Sequence, residues 1–328
     1  MVWAKRSRAS VAWSGLHGHV AAAPQLGRHD AAQDGESIAT IQAALDAGLR
    51  LINTGDFYGM GHNELLVREA LRGRREQAFL GVKFGMMVAP SGQPLGLDIR
   101  PRAVKNFCSY SLDRLDTEVI DLYQPGRVPT SVPIEDTVGA IAELIQEGKV
   151  RHLGLSEVTG DQLRRAHAVH PVTAVELEYW LAGRAIEDDL LPVARELGVG
   201  IVAYSVAAQG LLAGGIKGPL AADDPRNWTP RLQGEALTRN LKVVARFTAF
   251  AQAKGWTPTQ LAAAWVLAQG KDIVALVGMS RRGRIAENLS AMDIDLSAED
   301  LAALDSMFAP GAIAGGRYAP QIPQMWRS

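Results

Sequence analysis

The sequence has a single cysteine, Cys108, in 328 residues. An intramolecular disulfide is therefore excluded, which fits a reducing compartment. No run of about 18 consecutive apolar residues occurs, so no membrane span is expected. The opening MVWAKRSRAS is basic, but the residues after it mix Gly, His and Ala without an apolar signal core. A cytoplasmic location is the expectation. Neither sign of charge is in excess: 34 Lys and Arg face 35 Asp and Glu, a net charge of -1. That balance gives no electrostatic reason to expect nucleic acid or an anionic membrane as partner. Several catalytic signatures are also missing: there is no GxxxxGK[ST], no HExxH, no CxxC and no GxSxG.

What is present is an alternation of short apolar runs with amphipathic stretches, in a chain that is 47% hydrophobic. Strands are expected near 10–16 and at 49–54, 77–85, 118–124, 149–156, 173–179, 198–205 and 272–278. Helices are expected at 36–47, 63–73, 100–115, 133–148, 159–170, near 186–197 and at 257–270. Such alternation predicts a parallel sheet with right-handed crossovers. Eight units favour closure, so the expected fold is an α/β (β/α)8 TIM barrel, one domain spanning 1–328. Residues 206–240 are rich in Gly, Pro, Asp and Asn and read as a long loop after the seventh strand. The segment from Ala309 onward also lacks periodicity, and both are expected over the catalytic face. Trp180, Trp228 and Trp256 are candidates for rings facing a substrate, and Trp265, on an apolar helical stripe, for the core.

An ordered set of segments resembles the aldo-keto reductases, from about residue 36 to about 318. GLRLINTGDFYGMGHNELLVREAL is similar to the stretch that carries that family's catalytic aspartate and tyrosine. FLGVKFG resembles its lysine strand, and VIDLYQPGR the strand that usually ends in Leu-His. KVRHLGLSEVT, AVELEYW and IVAYSVAAQGLL resemble three later strands. DIVALVGMSRRGRIAENLSAM resembles the family's signature for adenosine 2′-phosphate. No single motif is decisive; the ordered set is specific. GLSE and RRAHAVHP point to a bacterial branch.

The resemblance implies a site of tyrosine, lysine, aspartate and histidine around a substrate carbonyl. Tyr58 would give the proton an alkoxide needs, and Lys83 would ease that transfer by stabilising tyrosinate. The aspartate position holds Asn53, which accepts a hydrogen bond but adds no charge. The histidine position holds Gly126, which offers no side chain. Ser156, Glu157 and Glu176 fall at the positions for the nicotinamide carboxamide, the last usually a glutamine. Tyr204 and Ser205 precede a loop that reads SVAAQG where the family usually has SPLGRG. Arg281, Arg282, Arg284 and Asn288 fall at the phosphate signature, which implies NADPH/NADP rather than NAD.

His17 and His19 follow the first strand where the family has no histidine. At i and i+2 they share a face and are candidates for an acid–base group. The His-X-His pair also opens the amidohydrolase metal motif. His152 lies at the wrong end of its strand for that, His167 and His170 fall on a helix, and the eighth strand ends without aspartate. No catalytic metal is expected. Three readings remain. One is an NADPH-dependent reductase of a small carbonyl compound with an altered tetrad. Another is a redox-silent acid–base enzyme on the same barrel: a lyase, dehydratase, epimerase or cyclase that needs no cofactor. The third is a non-catalytic cofactor binder. Substrate and oligomeric state are not fixed by the sequence.

Overall fold

The computed structural model describes residues 11–14 (backbone only), 33–90, 92–279 and 281–318. In chain order these form β1 (Val11–Ser14), α1 (Asp34–Asp46), β2 (Leu51–Gly55), α2 (His62–Leu71), β3 (Phe79–Phe84), a β4–β5 hairpin (Met86–Val88 and Pro94–Leu97), α3 (Pro101–Leu115), β6 (Ile120–Pro125), α4 (Ile134–Gln146), β7 (Val150–Ser156), α5 (Gly160–Val169), β8 (Val172–Glu178), α6 (Leu190–Leu197), β9 (Gly200–Tyr204), α7 (Gly234–Ala253), α8 (Pro258–Ala268), β10 (Ile273–Gly278), α9 (Ile285–Ser290) and α10 (Ala298–Met307). Eight strands close in the order β1-β10-β9-β8-β7-β6-β3-β2, every pairing parallel. This is the (β/α)8 barrel that the alternation predicted. Most of the buried apolar residues lie between the strands and the helices, a core that includes Ile52, Val82, Tyr123, Leu155, Val175 and Ile201.

Strand side chains alternate between that outer core and the barrel interior. Leu51, Leu122, Ala174, Val202, Val274 and Leu276 pack together as a second apolar cluster inside the barrel. Two residues further along three of these strands stand Asn53, Gln124 and Glu176, all buried. A polar layer therefore sits directly above an apolar one, toward the C-terminal ends of the strands, where barrels of this type carry their sites.

Several local features lie outside the sequence-based assignment, α10 among them. The stretch expected to be loop through residue 240 turns helical at Gly234. In α7, Leu237, Val243, Val244, Phe247 and Ala251 are buried at helical spacing. The stripe is interrupted by Asn240, whose amide bonds Arg231 O and Ala314 O and accepts from Ala314 N. A buried polar residue that ties two loops to a helix masks the helix's period. The β4–β5 hairpin was not expected either. Trp180 is a core residue rather than a substrate-facing ring: it is 1% exposed, with Nε1 bonded to Glu178 and Arg231 over its face.

Candidate active site

Backbone geometry singles out the C-terminal rim. Of six non-glycine residues with positive φ among the described residues, Met60, Glu157, Ser205, Ala208 and Gln209 follow the ends of β2, β7 and β9. Left-handed backbone is costly for residues with a Cβ and gathers at functional sites. Gly59, Met60 and Gly61 are left-handed in succession, which turns the chain from β2 into α2 just after Tyr58. Gly61 is required there, since a Cβ would come within 2.8 Å of the Arg114 side chain.

Tyr58 and Lys83 are brought together. Lys83 Nζ lies 5.2 Å from the centroid of the Tyr58 ring, and the two side chains are 5% and 6% exposed. Beneath them Lys83 donates to Asn53 Oδ1 and to Glu176, at 2.9 Å for Oε1 and 3.3 Å for Oε2. Asn53 Nδ2 and Gln124 Nε2 donate to Glu176 Oε2 at 2.7 and 2.6 Å. Register explains the convergence. Gly55 pairs Lys83, Lys83 pairs Gln124, and Glu176 stands next to Ser156 and Val202. Gly154 of β7 leaves the room Gln124 needs, because a Cβ would meet Gln124 Oε1 at 2.7 Å.

Burial pushes the Lys83 ammonium down, but Glu176 and then Tyr58 outweigh it, so Lys83 titrates above its ordinary range. Burial also pushes the Tyr58 phenol up, opposed by Lys83 and reinforced by Glu176, and the net direction is up. Both groups therefore hold their protons at neutral pH: Tyr58 is poised as an acid, and Lys83 as a cation beside it.

Gly126 is not an open gap. The Phe57 ring lies 3.4 Å from where its Cβ would be and packs edge-on to Tyr58, with centroids 4.7 Å apart. The neighbouring residue reaches the site instead. Arg127 donates to Gly126 O at 2.8 Å, to Tyr204 Oη at 3.4 Å and to Tyr318 Oη at 2.9 Å, and its Nε is buried without a partner among the described residues. Its positive charge is among the influences that lower the Tyr58 pKa.

The positions expected to hold the nicotinamide end behave differently. Ser156 and Glu157 are buried at the end of β7, where Thr159 and Gln162 form a capping box that fixes the following turn. Glu157 Oε2 pairs with Arg317 at 2.6 Å, and Arg317 also contacts Tyr204 Oη and Glu178. Tyr318 stacks on Trp228, with centroids 6.2 Å apart. Burial pushes Glu157 up, but Arg127 and Arg317 prevail and hold it down at about 2. The tail thus covers the catalytic face through Arg317 and Tyr318. Beside them a cavity of about 390 Å³ is lined by Glu157, Glu178, Arg184, Asp189, Arg231 and Arg317, among others. Glu176, expected beside the nicotinamide, lies under Lys83.

Arg281, Arg282 and Arg284 are exposed between β10 and α9, and Asn288 is buried below them. Arg282 pairs with Glu36 and Arg284 with Glu287. Ser205 follows β9 with left-handed backbone. His17 and His19 lie outside the described residues. Among the described residues no cluster of three or more His, Cys, Asp or Glu is placed to hold a metal, and no helix is long and apolar enough to cross a membrane. Sequence reasoning did not single out Gln124, Arg127, Glu178 or Arg317. Gln124 was discoverable from its place two residues after Leu122; Arg317, in an aperiodic tail, carried no signal.

Comparison with known proteins agrees with this architecture. The Aldo/keto reductase family model matches residues 23–309. A curated relative, "Probable aldo-keto reductase 1" from Glycine max, is 41% identical over 293 residues, covering 88% of this chain and 84% of its own. The glycerol dehydrogenase AKR11B4 from Gluconobacter oxydans superposes with a TM-score of 0.82 at 28% identity, over 96% of this chain and 95% of that one. An aldo-keto reductase from Klebsiella pneumoniae, solved in complex with NADPH, gives a TM-score of 0.72 at 27% identity, over 94% of each chain. The chain belongs to the aldo-keto reductase family. That membership supports an oxidoreductase that uses a nicotinamide cofactor on small molecules.

Proposed function

We propose that the protein is an NADPH-dependent reductase of a small carbonyl compound. The observation that carries this reading is the buried Tyr58 hydroxyl beside a Lys83 ammonium that Glu176 keeps charged. At the proposed phosphate end, Arg281, Arg282 and Arg284 are exposed after β10, guanidiniums of the kind that suit a phosphate group, and Arg282 and Arg284 would exchange their present partners Glu36 and Glu287 for it. When bound, the nicotinamide supplies hydride to the carbonyl carbon. The protein's part is acid–base. Tyr58 donates its proton to the oxygen that becomes alkoxide, and Lys83 stabilises the tyrosinate left behind. Gly126 brings no imidazole to the carbonyl. Arg127, close enough to influence Tyr58, is the cation available on that side. Ser156, Glu157, Tyr204, Ser205 and Asn288 complete the proposed cofactor groove. Arg317 must yield its contacts with Glu157 and Tyr204 for those two groups to face a ligand.

The test is a titration with NADPH followed by tryptophan fluorescence, then NADPH consumption with an activated 1,2-dicarbonyl. Saturable binding with turnover that Tyr58→Phe removes supports the reading; no binding at millimolar NADPH overturns it. A redox-silent reading needs a proton-transfer group beyond Tyr58 and Lys83. Glu176 is already engaged by three side chains, and among the described residues no observation favours that alternative.

A further inference from the structure

Lys83 is a cation sealed inside the barrel, and side chains from four elements surround it. Asn53 comes from β2, Glu176 from β8, Gln124 from β6 behind the carboxylate, and Tyr58 from the β2–α2 turn. Only Glu176 among them is a carboxylate. Its Oε1 accepts from Lys83; its Oε2 accepts from Asn53, from Gln124 and, at 3.3 Å, from Lys83 again. All four contacts are donors, as an ionised carboxylate requires, and three of them converge on Oε2. We infer that Glu176 is the positioning residue of the acid–base pair: it holds Lys83 charged beneath Tyr58, rather than serving as a recognition group for the cofactor's amide.

The geometry goes one step further. Asn53 Oδ1 and Glu176 Oε1 both accept from the same ammonium, and Asn53 Nδ2 donates to Glu176 Oε2. One amide and one carboxylate share one lysine from opposite sides of the barrel. Exchanging the two groups keeps one negative charge, one amide and both contacts to Lys83. The negative charge this lysine needs has no fixed address; it can stand on β2 or on β8. The kinetic side of the inference rests on the reductase reading, whereas the charge-balance side does not.

The decisive experiment is a cycle of three full-length variants: Glu176→Gln, Asn53→Asp and the double exchange N53D/E176Q. Denaturant unfolding is measured for each, with no substrate needed. Glu176→Gln leaves a buried ammonium without its counter-charge, and the folding equilibrium constant is expected to fall by about a hundredfold or more. The double exchange recovers most of that loss. Asn53→Asp alone places two carboxylates on one lysine, so its deficit is largest near neutral pH and narrows as pH falls and one of them is protonated. A side chain needed only for packing would not be rescued by a carboxylate on another strand. In the reductase assay, Glu176→Gln lowers kcat with little change in KM. It also moves the alkaline limb of the kcat profile to lower pH by about one unit or more, as Lys83 loses its proton sooner, and the double exchange moves the limb back. Glu176→Gln as stable as the parent, or a double exchange no better than Glu176→Gln alone, overturns the inference. If the parent turns over no carbonyl compound, the reductase reading fails on its own, and the unfolding cycle still decides the role of Glu176.

Discussion

Glu176 and Glu178 stand two residues apart on β8, the first buried and the second partly buried, and their charges are balanced in different ways. Glu176 is neutralised by Lys83 and held by Asn53 and Gln124, all side chains of barrel strands. Glu178, together with Glu157, is neutralised at the rim by Arg231 and Arg317, which come from the segment before α7 and from the tail. The interior set is complete without a ligand. The rim set is complete only because a tail residue stands in the groove. The proposed acid–base pair is thus built into the barrel, whereas the proposed cofactor end is closed by contacts that a ligand would have to replace.

The largest expected effect lies on the interior side. Tyr58→Phe removes the proton donor without removing the ring that covers Lys83, and kcat for a carbonyl substrate is expected to fall by about 10²–10⁴-fold with NADPH binding retained. Loss of binding instead would show that Tyr58 acts in assembly of the groove.

At the rim, the strongest effect is on stability against pH. Glu157 titrates at about 2 in the folded protein against an ordinary 4.5. Because the folded value is the lower one, its contribution is present above about pH 4.5 and is lost as pH falls toward 2, amounting to about 3 kcal/mol at most. Urea midpoints measured across that window should fall, and Arg317→Ala should flatten the fall. An unchanged slope in Arg317→Ala would show that Arg127 alone holds Glu157.

Between the two regions lies Gly126. Its backbone is not left-handed, so Gly126→Ala should change stability little. Gly126→His must displace Phe57 from its place against Tyr58 and should cost about 1–3 kcal/mol, read from denaturant midpoints. If Gly126→His is tolerated without loss, Phe57 is not what fills the histidine position.

The smallest effect concerns the tail. Arg317→Ala should tighten NADPH binding by about two- to tenfold, since the cofactor no longer competes for Glu157 and Tyr204. Weaker binding would assign Arg317 to the cofactor rather than to the closure of its groove.

How legible each region was follows from how it is built. The strands and the eightfold alternation are carried by local periodicity, and the positions of Tyr58 and Lys83 by short segments that resemble those of the aldo-keto reductases. The helical stretch from Gly234 was hidden because Asn240 breaks its stripe. The tail's contacts carried no signal, since Arg317 meets Glu157 across 160 residues. His17 and His19 lie outside the described residues, so their reading stands on sequence alone.

The sequence by itself determined the eightfold alternation, the family and the pair Tyr58 and Lys83, because each of these is written in neighbouring residues. It presented Asn53 as a lost charge and Glu176 as an altered cofactor contact, two separate departures 123 residues apart. Only the closed barrel shows them as one arrangement around Lys83. Which residues stand at the same height across a barrel depends on strand register and closure, and neither can be read from any one strand.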